Sequence, residues 1–524
     1  MRKNPLVFFW EDLRNRVPNQ RYLDRLDRPR RLRAAGFSMV TLILGALYLG
    51  WIGNLVLNSR QIQDVAFFGA EFLSFLLLSL LAFNVWHLRG HRPEGPEAPR
   101  NFTVDLLIPC CGEPLEVIRT TLMAVHQISY PTLQVLVLDD GASREVAVLA
   151  RSLGFRYLSR PAAGLQVEDS KSGNLNFGLR HSQAELVLVL DADQVPAPDI
   201  VSRLAGFFEF PRVAFVQSRQ AFFLPEGDPF YNADKIFYET LQPSNDEANA
   251  VMSCGSGVIY RRRALEEMGG FASWNIVEDL TTSYELLSRG WKGIYFSHPL
   301  SRGLVPATLP GVYRQRFQWC LDAMRLFFWD NPLWKAGLNW QQKSHFLIVM
   351  LSYLASGVVF PIFYFIPLST YLSGRSLLLG HEAGYLVLRA AYLLATLLMF
   401  RHLFYRQEAF KQFKVLCSLF PVHLLAILTA IVSPPGRKPA YRPNNLQPFA
   451  ESENWWHLTP HLALIGLHLT LPLVSLWQGW ALPQLIVCNS LFSAFIIWVM
   501  GDLVWTVLAG PRWSPTMDPR KVYV

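Results

Sequence analysis

Two short acidic runs stand directly behind apolar, β-rich stretches: residues 135–138 lead into Asp139-Asp140-Gly141, and residues 186–190 lead into Asp191-Ala192-Asp193. Carboxylates spaced i and i+2 at a strand end can be turned onto one hard divalent cation, which in turn bridges diphosphate oxygens. An Asp at such a position is equally a turn former. A third acidic site, Val277-Glu278-Asp279-Leu280, opens an amphipathic stretch, 281–289, closed by Gly290. Asp279 there either steadies a helix N-terminus or serves as a general base where an acceptor hydroxyl arrives. Further on, Tyr313-Arg-Gln-Arg-Phe-Gln-Trp319 combines an aromatic face suited to a sugar ring with arginines suited to a diphosphate. It also reads as a basic, aromatic interfacial helix, and the two readings are compatible.

These residues need an α/β scaffold. Between about residues 100 and 342, apolar runs at 103–108, 133–138, 185–190 and 214–217 alternate with helical patterns. That alternation predicts a mostly parallel sheet covered by helices, with ligands gathered at the carboxyl ends of its strands. The rest of the 524-residue chain is too apolar for a purely soluble protein: 51% is hydrophobic and only 17% charged. Six segments are long enough to cross a bilayer: 38–57, 65–86, 346–370, 384–404, 460–479 and 483–509. Glu71, Arg389 and Asp502 fall within them and should face protein or water, or else lie near the interfaces. A seventh candidate, 415–432, carries Pro421. With six spans the basic segments 1–36, 87–100, 401–414, 434–458 and 512–524 share one side, as cytosolic loops do, so 408–432 is read as interfacial.

The organisation expected is a basic cytosolic arm, 1–36; two spans, 37–90; a catalytic domain, 100–342; two spans and an interfacial helix, 343–432; a cytosolic segment, 433–458; two spans, 459–510; and a short tail, 511–524. The arm holds ten Lys/Arg against four acids, which suits anionic lipid better than nucleic acid. An apolar stretch that begins only near Phe37 argues against a cleaved signal peptide. Six cysteines without CxxC or zinc spacing read as free thiols. A disulfide-knot, peptide-hormone or small-adaptor reading is excluded.

In order along the chain come Pro109-Cys-Cys-Gly-Glu113, Asp139-Asp-Gly141, Lys171-Ser-Gly-Asn-Leu-Asn176, Asp191-Ala-Asp193, Cys254-Gly-Ser256, Val277-Glu-Asp279 and Gln315-Arg-Phe-Gln-Trp319. With the flanking spans, this series resembles the processive family 2 glycosyltransferases, in particular bacterial cellulose synthase catalytic subunits. The resemblance implies a GT-A domain inserted between transmembrane helices in the plasma (inner) membrane, its catalytic face cytosolic. It implies an inverting transfer from a UDP-sugar, most simply UDP-glucose, to a growing β-linked polysaccharide that the same chain translocates. Glu113, Asp139, Asp140, Lys171, Asp191 and Arg316 would then bind the nucleotide sugar. Asp191 and Asp193 would hold Mg²⁺ or Mn²⁺, Asp279 would be the catalytic base, and Cys254, Gln315 and Trp319 would meet the acceptor. An extracytoplasmic accessory subunit could complete the assembly.

Three departures from the family pattern stand out. Gln318 replaces the Arg of Gln-x-x-Arg-Trp, leaving Arg314 or Arg316 to compensate. Val277 replaces the usual Thr beside the base. Lys438-Pro-Ala-Tyr-Arg-Pro-Asn-Asn445 occupies the gating-loop position without Thr-x-Lys. The short stretch after the last span has no room for a PilZ domain, so control by cyclic di-GMP within this chain is not expected. Alternatives are a synthase of a β-1,3-glucan, mannan or amino-sugar polymer, and a non-processive transferase loading one sugar onto a polyprenyl phosphate or glycolipid. A transporter with a nucleotide-sugar sensor is disfavoured because the spans show no repeated halves.

Overall fold

The computed structural model describes residues 28–59, 61–85, 101–404, 407–441, 452–514 and 518–522. Most of the basic arm, the linker at 86–100 and the stretch 442–451 therefore lie outside the described residues. Two long apolar helices, α1 (Arg28–Ser59) and α2 (Ile62–Val85), precede an α/β domain. Its eight strands are β1 (Val104–Cys110), β2 (Leu133–Asp139), β3 (Arg156–Leu158), β4 (Leu186–Val189), β5 (Val195–Pro196), β6 (Val213–Phe222), β7 (Val258–Arg261) and β8 (Lys292–Gly303). They form one sheet in the order β3-β2-β1-β4-β7-β6-β8-β5.

The half β3-β2-β1-β4 is parallel, but β7 runs antiparallel between β4 and β6, and β5 antiparallel to β8. β6 and β8 are parallel to each other and share the direction of β4, so six of the eight strands run one way and the sheet is mostly parallel, as the sequence suggested, with only β7 and β5 reversed. The loop at 250–257 enters β7 from the carboxyl end of β4, so no crossover helix is needed to return the chain. Successive side chains feed two cores. Leu106, Ile108, Val137 and Leu188 pack on one face, and Leu107, Leu136, Leu138, Val187 and Val189 on the other. Burial on both faces is why these strands read as unbroken apolar runs. β6 extends well past the expected 214–217 because its polar half still pairs with β8 through two bulges.

Helices α3 (Leu115–Val125), α4 (Arg144–Ser152), α5 (Ser170–Arg180) and α6 (Glu278–Ser288) flank the sheet, and α7 (Leu309–Trp329) leads away from it. At the start of α7, Thr308 Oγ1 accepts the Gly311 amide and Pro310 sits in the first turn. A capping box, Asn339 with Gln342, opens α8 (Trp340–Leu354). A π-turn at Ala355–Val359 joins it to α9 (Phe360–Ser373). There follow α10 (Glu382–Leu403), α11 (Ala409–Ser418), α12 (Phe420–Ile431), α13 (Thr459–Gln478) and α14 (Pro483–Ala509).

Among the described residues six helical segments are long and apolar enough to cross a membrane: Leu32–Ser59, Ile62–Val85, Trp340–Ser373, Glu382–Leu403, Trp455–Gln478 and Pro483–Ala509. α11 and α12 bend by 62°, and both ends of the pair reach the α/β domain. At its start Lys235 lies 3.1 Å from Glu408. At its end Arg325 of α7 donates to the carbonyls of Ser433 and Pro434 at 2.9 and 3.0 Å. Exposed Trp455 and Trp456 mark one end of α13, and exposed Trp477 the other, as aromatic side chains do at membrane interfaces.

The three charges that the sequence places inside the apolar segments are paired. Arg389 of α10 lies 2.7 Å from Glu71 of α2, which is only 2% exposed, and packs over the rings of Tyr48 and Tyr392. Asp502 of α14 lies 2.7 Å from Lys414. Arg389, 29% exposed, is thereby held against the neighbouring helices. The tail beyond α14 folds back on the α/β domain. Glu226 N–H donates to Arg512 O at 2.7 Å, Thr120 Oγ1 to Val522 O at 3.3 Å, and Trp513 and Val522 pack near Val117 and Phe223. The six cysteines are free.

Candidate active site

The carboxyl ends of β1, β2 and β4 lie side by side, because β1 pairs with both of the others. They bring together the Cys111–Glu113 loop, Asp139-Asp140 and Asp191–Asp193. Two further pieces close on them. The Gly257 amide donates to Val189 O and the Asp191 amide to Ser256 Oγ, which seats Cys254–Ser256 at the end of β4. Gln217 fixes the same loop, accepting the Cys254 amide at 2.7 Å and donating to Ser256 O at 2.9 Å.

Lys171, on the first turn of α5, is the centre. Its Nζ lies 2.7 Å from Asp191 Oδ1 and 3.0 Å from Glu278 Oε1, and donates to Gly255 O at 3.0 Å. Burial alone would lower the Lys171 pKa; the charges of Asp191, Glu278 and Asp279 outweigh it and raise it well above the ordinary value. Asp279 is half-buried beside it. Gly255 has φ +75°, and a Cβ there would stand 2.9 Å from both Asp279 Oδ2 and Lys171 Nζ. Glycine is what lets the loop, the base candidate and the lysine converge.

Burial and then Glu278 push the Asp279 carboxyl up to about 7, with Lys171 and the Leu280 amide opposing. Burial, Asp191 and Glu113 likewise push Asp193 up to about 7. Glu113, which accepts the Cys111 amide at 2.6 Å, is raised by burial, with Asp191 and Asp139 adding to it. Carboxyls crowded this way are a fit for added positive charge. Among the described residues no three His, Cys, Asp or Glu side chains form a metal cage. A Mg²⁺-type site, however, needs only one or two carboxylates together with substrate phosphates, which Asp191 and Asp193 can provide.

Asp279 is no cap. Val277 is the N-cap of α6 and its side chain makes no capping bond. The helix start is held instead from α7: Asp322 Oδ1 accepts the Val277 amide at 3.0 Å, and Asn275 Nδ2 donates to Asp322 O at 3.1 Å. α7 carries Trp319, half-buried, with the Arg316 guanidinium 4.7 Å from its ring centre.

A family model described as "Glycosyltransferase like family 2" matches residues 99–321. Those residues are a family 2 glycosyltransferase domain. Cellulose synthase 1 of Komagataeibacter xylinus is 33% identical over 279 residues, 51% of this chain and 18% of its own. A cellulose synthase catalytic subunit (UDP-forming) of Xanthomonas axonopodis pv. citri is 31% identical over 333 residues, 60% of this chain and 45% of its own. The chain thus spans less than half the length of these curated relatives. A mannosyltransferase from Pyrobaculum calidifontis, solved with GDP-Man and Mn²⁺, matches with a TM-score of 0.47 at 16% identity, over 76% of this chain and 99% of its own. The matched residues carry the α/β sheet expected, set between apolar helices.

Within the glycosyltransferase domain the sequence-derived residues separate into groups. Lys171, Asp191, Asp193, Glu113, Cys254 and Asp279 converge. Asp139 and Asp140 lie at the rim with their oxygens already engaged. Asp139 accepts the Gly141 and Ser143 amides and the Tyr157 hydroxyl, each at 2.8 Å, and Asp140 takes a two-pronged bond from Arg160 at 2.9 and 2.6 Å. Arg316 stands apart from Lys171; it faces Asp234 at 3.8 Å and donates to Tyr231 O at 3.3 Å. Gln315 is half-buried on α7 and Gln318 buried. The residues that sequence reasoning passed over are Arg160, Asp322 and Gln217, while Tyr441 stood in the segment 438–445 without a role. Tyr441 packs beside Val277, close enough to Lys171 and Asp191 to feel their charges. Glu278 was in a quoted motif without a role. Nothing local marks the others.

Proposed function

We propose that this chain is an inverting, processive glycosyltransferase of the plasma (inner) membrane that polymerises UDP-glucose into a β-linked glucan, cellulose-like, and passes the polymer outward through its own helices. The observation that carries the reading is the meeting of Lys171 with Asp191, Glu278 and Asp279 at the strand ends, next to a helix that bears Trp319 and leads to the apolar segments. The relatives named cellulose synthase support the polymer, and six membrane-length helices support a multi-pass protein whose glycosyltransferase domain lies on the cytosolic side.

In this reading Asp279 takes the proton from the acceptor hydroxyl as its oxygen forms the bond to the anomeric carbon. The bond from that carbon to the diphosphate oxygen breaks, and UDP leaves with the electron pair. Lys171 exchanges its contact with Asp191 for the leaving diphosphate, where a charge-assisted hydrogen bond gains strength as negative charge develops. Asp191 and Asp193 would hold Mg²⁺ or Mn²⁺, whose charge offsets that of the diphosphate. Trp319 offers the acceptor sugar a flat apolar face, and the fixed geometry of α6 against α7 orders the attack. Arg316, stacked on Trp319, belongs to the acceptor side in this arrangement.

Membrane vesicles carrying the chain, given labelled UDP-glucose and Mg²⁺ or Mn²⁺, test the reading. It expects a long, glucanase-sensitive product that disappears with Asp279→Asn. A short product extractable into organic solvent would overturn processivity, and Asp279-independent product would overturn the mechanism.

A further inference from the structure

The turn that delivers Lys171 is built from two consecutive non-glycine residues in the left-handed region, Asp169 (φ 58°) and Ser170 (φ 46°). Side chains disfavour that region, and such residues persist at functional sites where their surroundings hold them there. Two cations from different parts of the chain do the holding. The Arg160 guanidinium donates to Glu168 O at 2.6 Å and to Ser170 O at 3.0 Å while its other edge is locked on Asp140. Both side chains of that pair are 5% exposed or less. A Cβ at Gly173 would overlap the Glu168 carbonyl and stand 2.6 Å from Arg160, so the turn closes on Arg160 only with glycine at that position. From the other side Lys438 Nζ lies 3.2 Å from Asp169 Oδ1 and donates to Ser273 O at 2.7 Å.

We propose that Arg160, anchored by Asp140, and Lys438 are positioning residues that hold the Asp169–Ser170 turn and, through it, Lys171 at the donor diphosphate. The proposal deepens the proposed function and rests on its placement of Lys171. It gives Asp140 a different task from nucleotide contact: with both oxygens on Arg160, it is the anchor of a clamp. It also ties the donor site to the membrane-side hairpin, because Lys438 follows the end of α12 that Arg325 holds.

The test is UDP binding to the full-length chain in detergent with Mg²⁺, by calorimetry, for wild type, Arg160→Gln, Lys438→Gln, Lys171→Gln and the doubles with Lys171→Gln. Each clamp variant is expected to weaken UDP, Arg160→Gln about tenfold and Lys438→Gln about threefold, and Arg160→Lys not to rescue because one ammonium cannot span Asp140 and two carbonyls. In the Lys171→Gln background both losses should shrink below about twofold, since a residue acting through another is non-additive with it. Equal losses in both backgrounds, or none in wild type, would overturn the clamp while leaving Lys171 as a ligand. Lys171→Gln binding UDP as wild type does would instead overturn the placement of Lys171 and the clamp with it. Lys438 is 20% exposed and less enclosed than Arg160, so Lys438→Gln keeps the test decisive should Arg160→Gln fail to fold.

Discussion

Asp322 on α7 accepts the backbone amide of Val277 at 3.0 Å, so the helix that bears Trp319 also fixes the first turn that bears Asp279. The proposed acceptor platform and the base candidate are thereby set by one rigid element. Asp322→Ala leaves a buried amide unpaired, at a cost of about 1–3 kcal/mol, and lets the α6 start drift. The expected outcome is a fall in kcat of about tenfold or more with UDP affinity unchanged. Asp322→Asn retains an acceptor oxygen and should recover most of it.

Asp279→Asn removes the proposed proton acceptor without changing shape. General-base catalysis typically contributes about 10² to 10⁴ in rate, so turnover should fall by that amount while UDP still binds. A variant with turnover within about fivefold of wild type would exclude Asp279 as the base.

The acid limb of the rate profile follows from the same residue. Its carboxyl is raised to about 7, and a base works only deprotonated, so kcat/KM should climb with rising pH and level off above that value. Asp193, also raised to about 7, adds to the limb when the divalent cation is scarce, and excess Mg²⁺ should shift its part to lower pH. A profile flat from about pH 5 to 8 would contradict this.

Gly255→Ala places a methyl group at φ +75° against Asp279 and Lys171. The left-handed backbone alone costs a non-glycine residue about 1–2 kcal/mol, and the two functional groups must also separate. We expect a loss of both UDP affinity and turnover, with the thermal midpoint lowered by only a few degrees.

Glu71 and Arg389 form a pair whose single disruption strands a charge. Either Glu71→Gln or Arg389→Met should destabilise by about 3–5 kcal/mol, whereas the double change should restore much of the loss. Thermal unfolding in detergent reads this out, and additive losses would show the two side chains to be independent.

The placement of Asp139-Asp140 and Asp191–Asp193 was legible because acids that follow apolar runs emerge at strand ends, and β2 and β4 bear that out. The six apolar segments were legible for the plain reason that a bilayer sets their length. What remained hidden was pairing across long stretches of sequence. Nothing near residue 160 tells that Arg160 meets Asp140 and the turn before Lys171, or that Asp322 reaches Val277. Asp139 looked like a free ligand because periodicity reports where a carboxylate emerges, not that Gly141, Ser143 and Tyr157 occupy it. The mostly parallel sheet was legible, but its two reversed strands were not, because alternation of elements carries no record of the direction in which β7 and β5 are entered.

The returning tail has a practical consequence for handling the protein. Val522 and Trp513 are packed against the face of the domain that includes α3, the helix that begins just after Glu113. A purification tag fused after Val524 would start two residues from that contact, so activity lost on C-terminal tagging but kept on N-terminal tagging would report pressure on the Glu113 loop, and not a defect in membrane insertion.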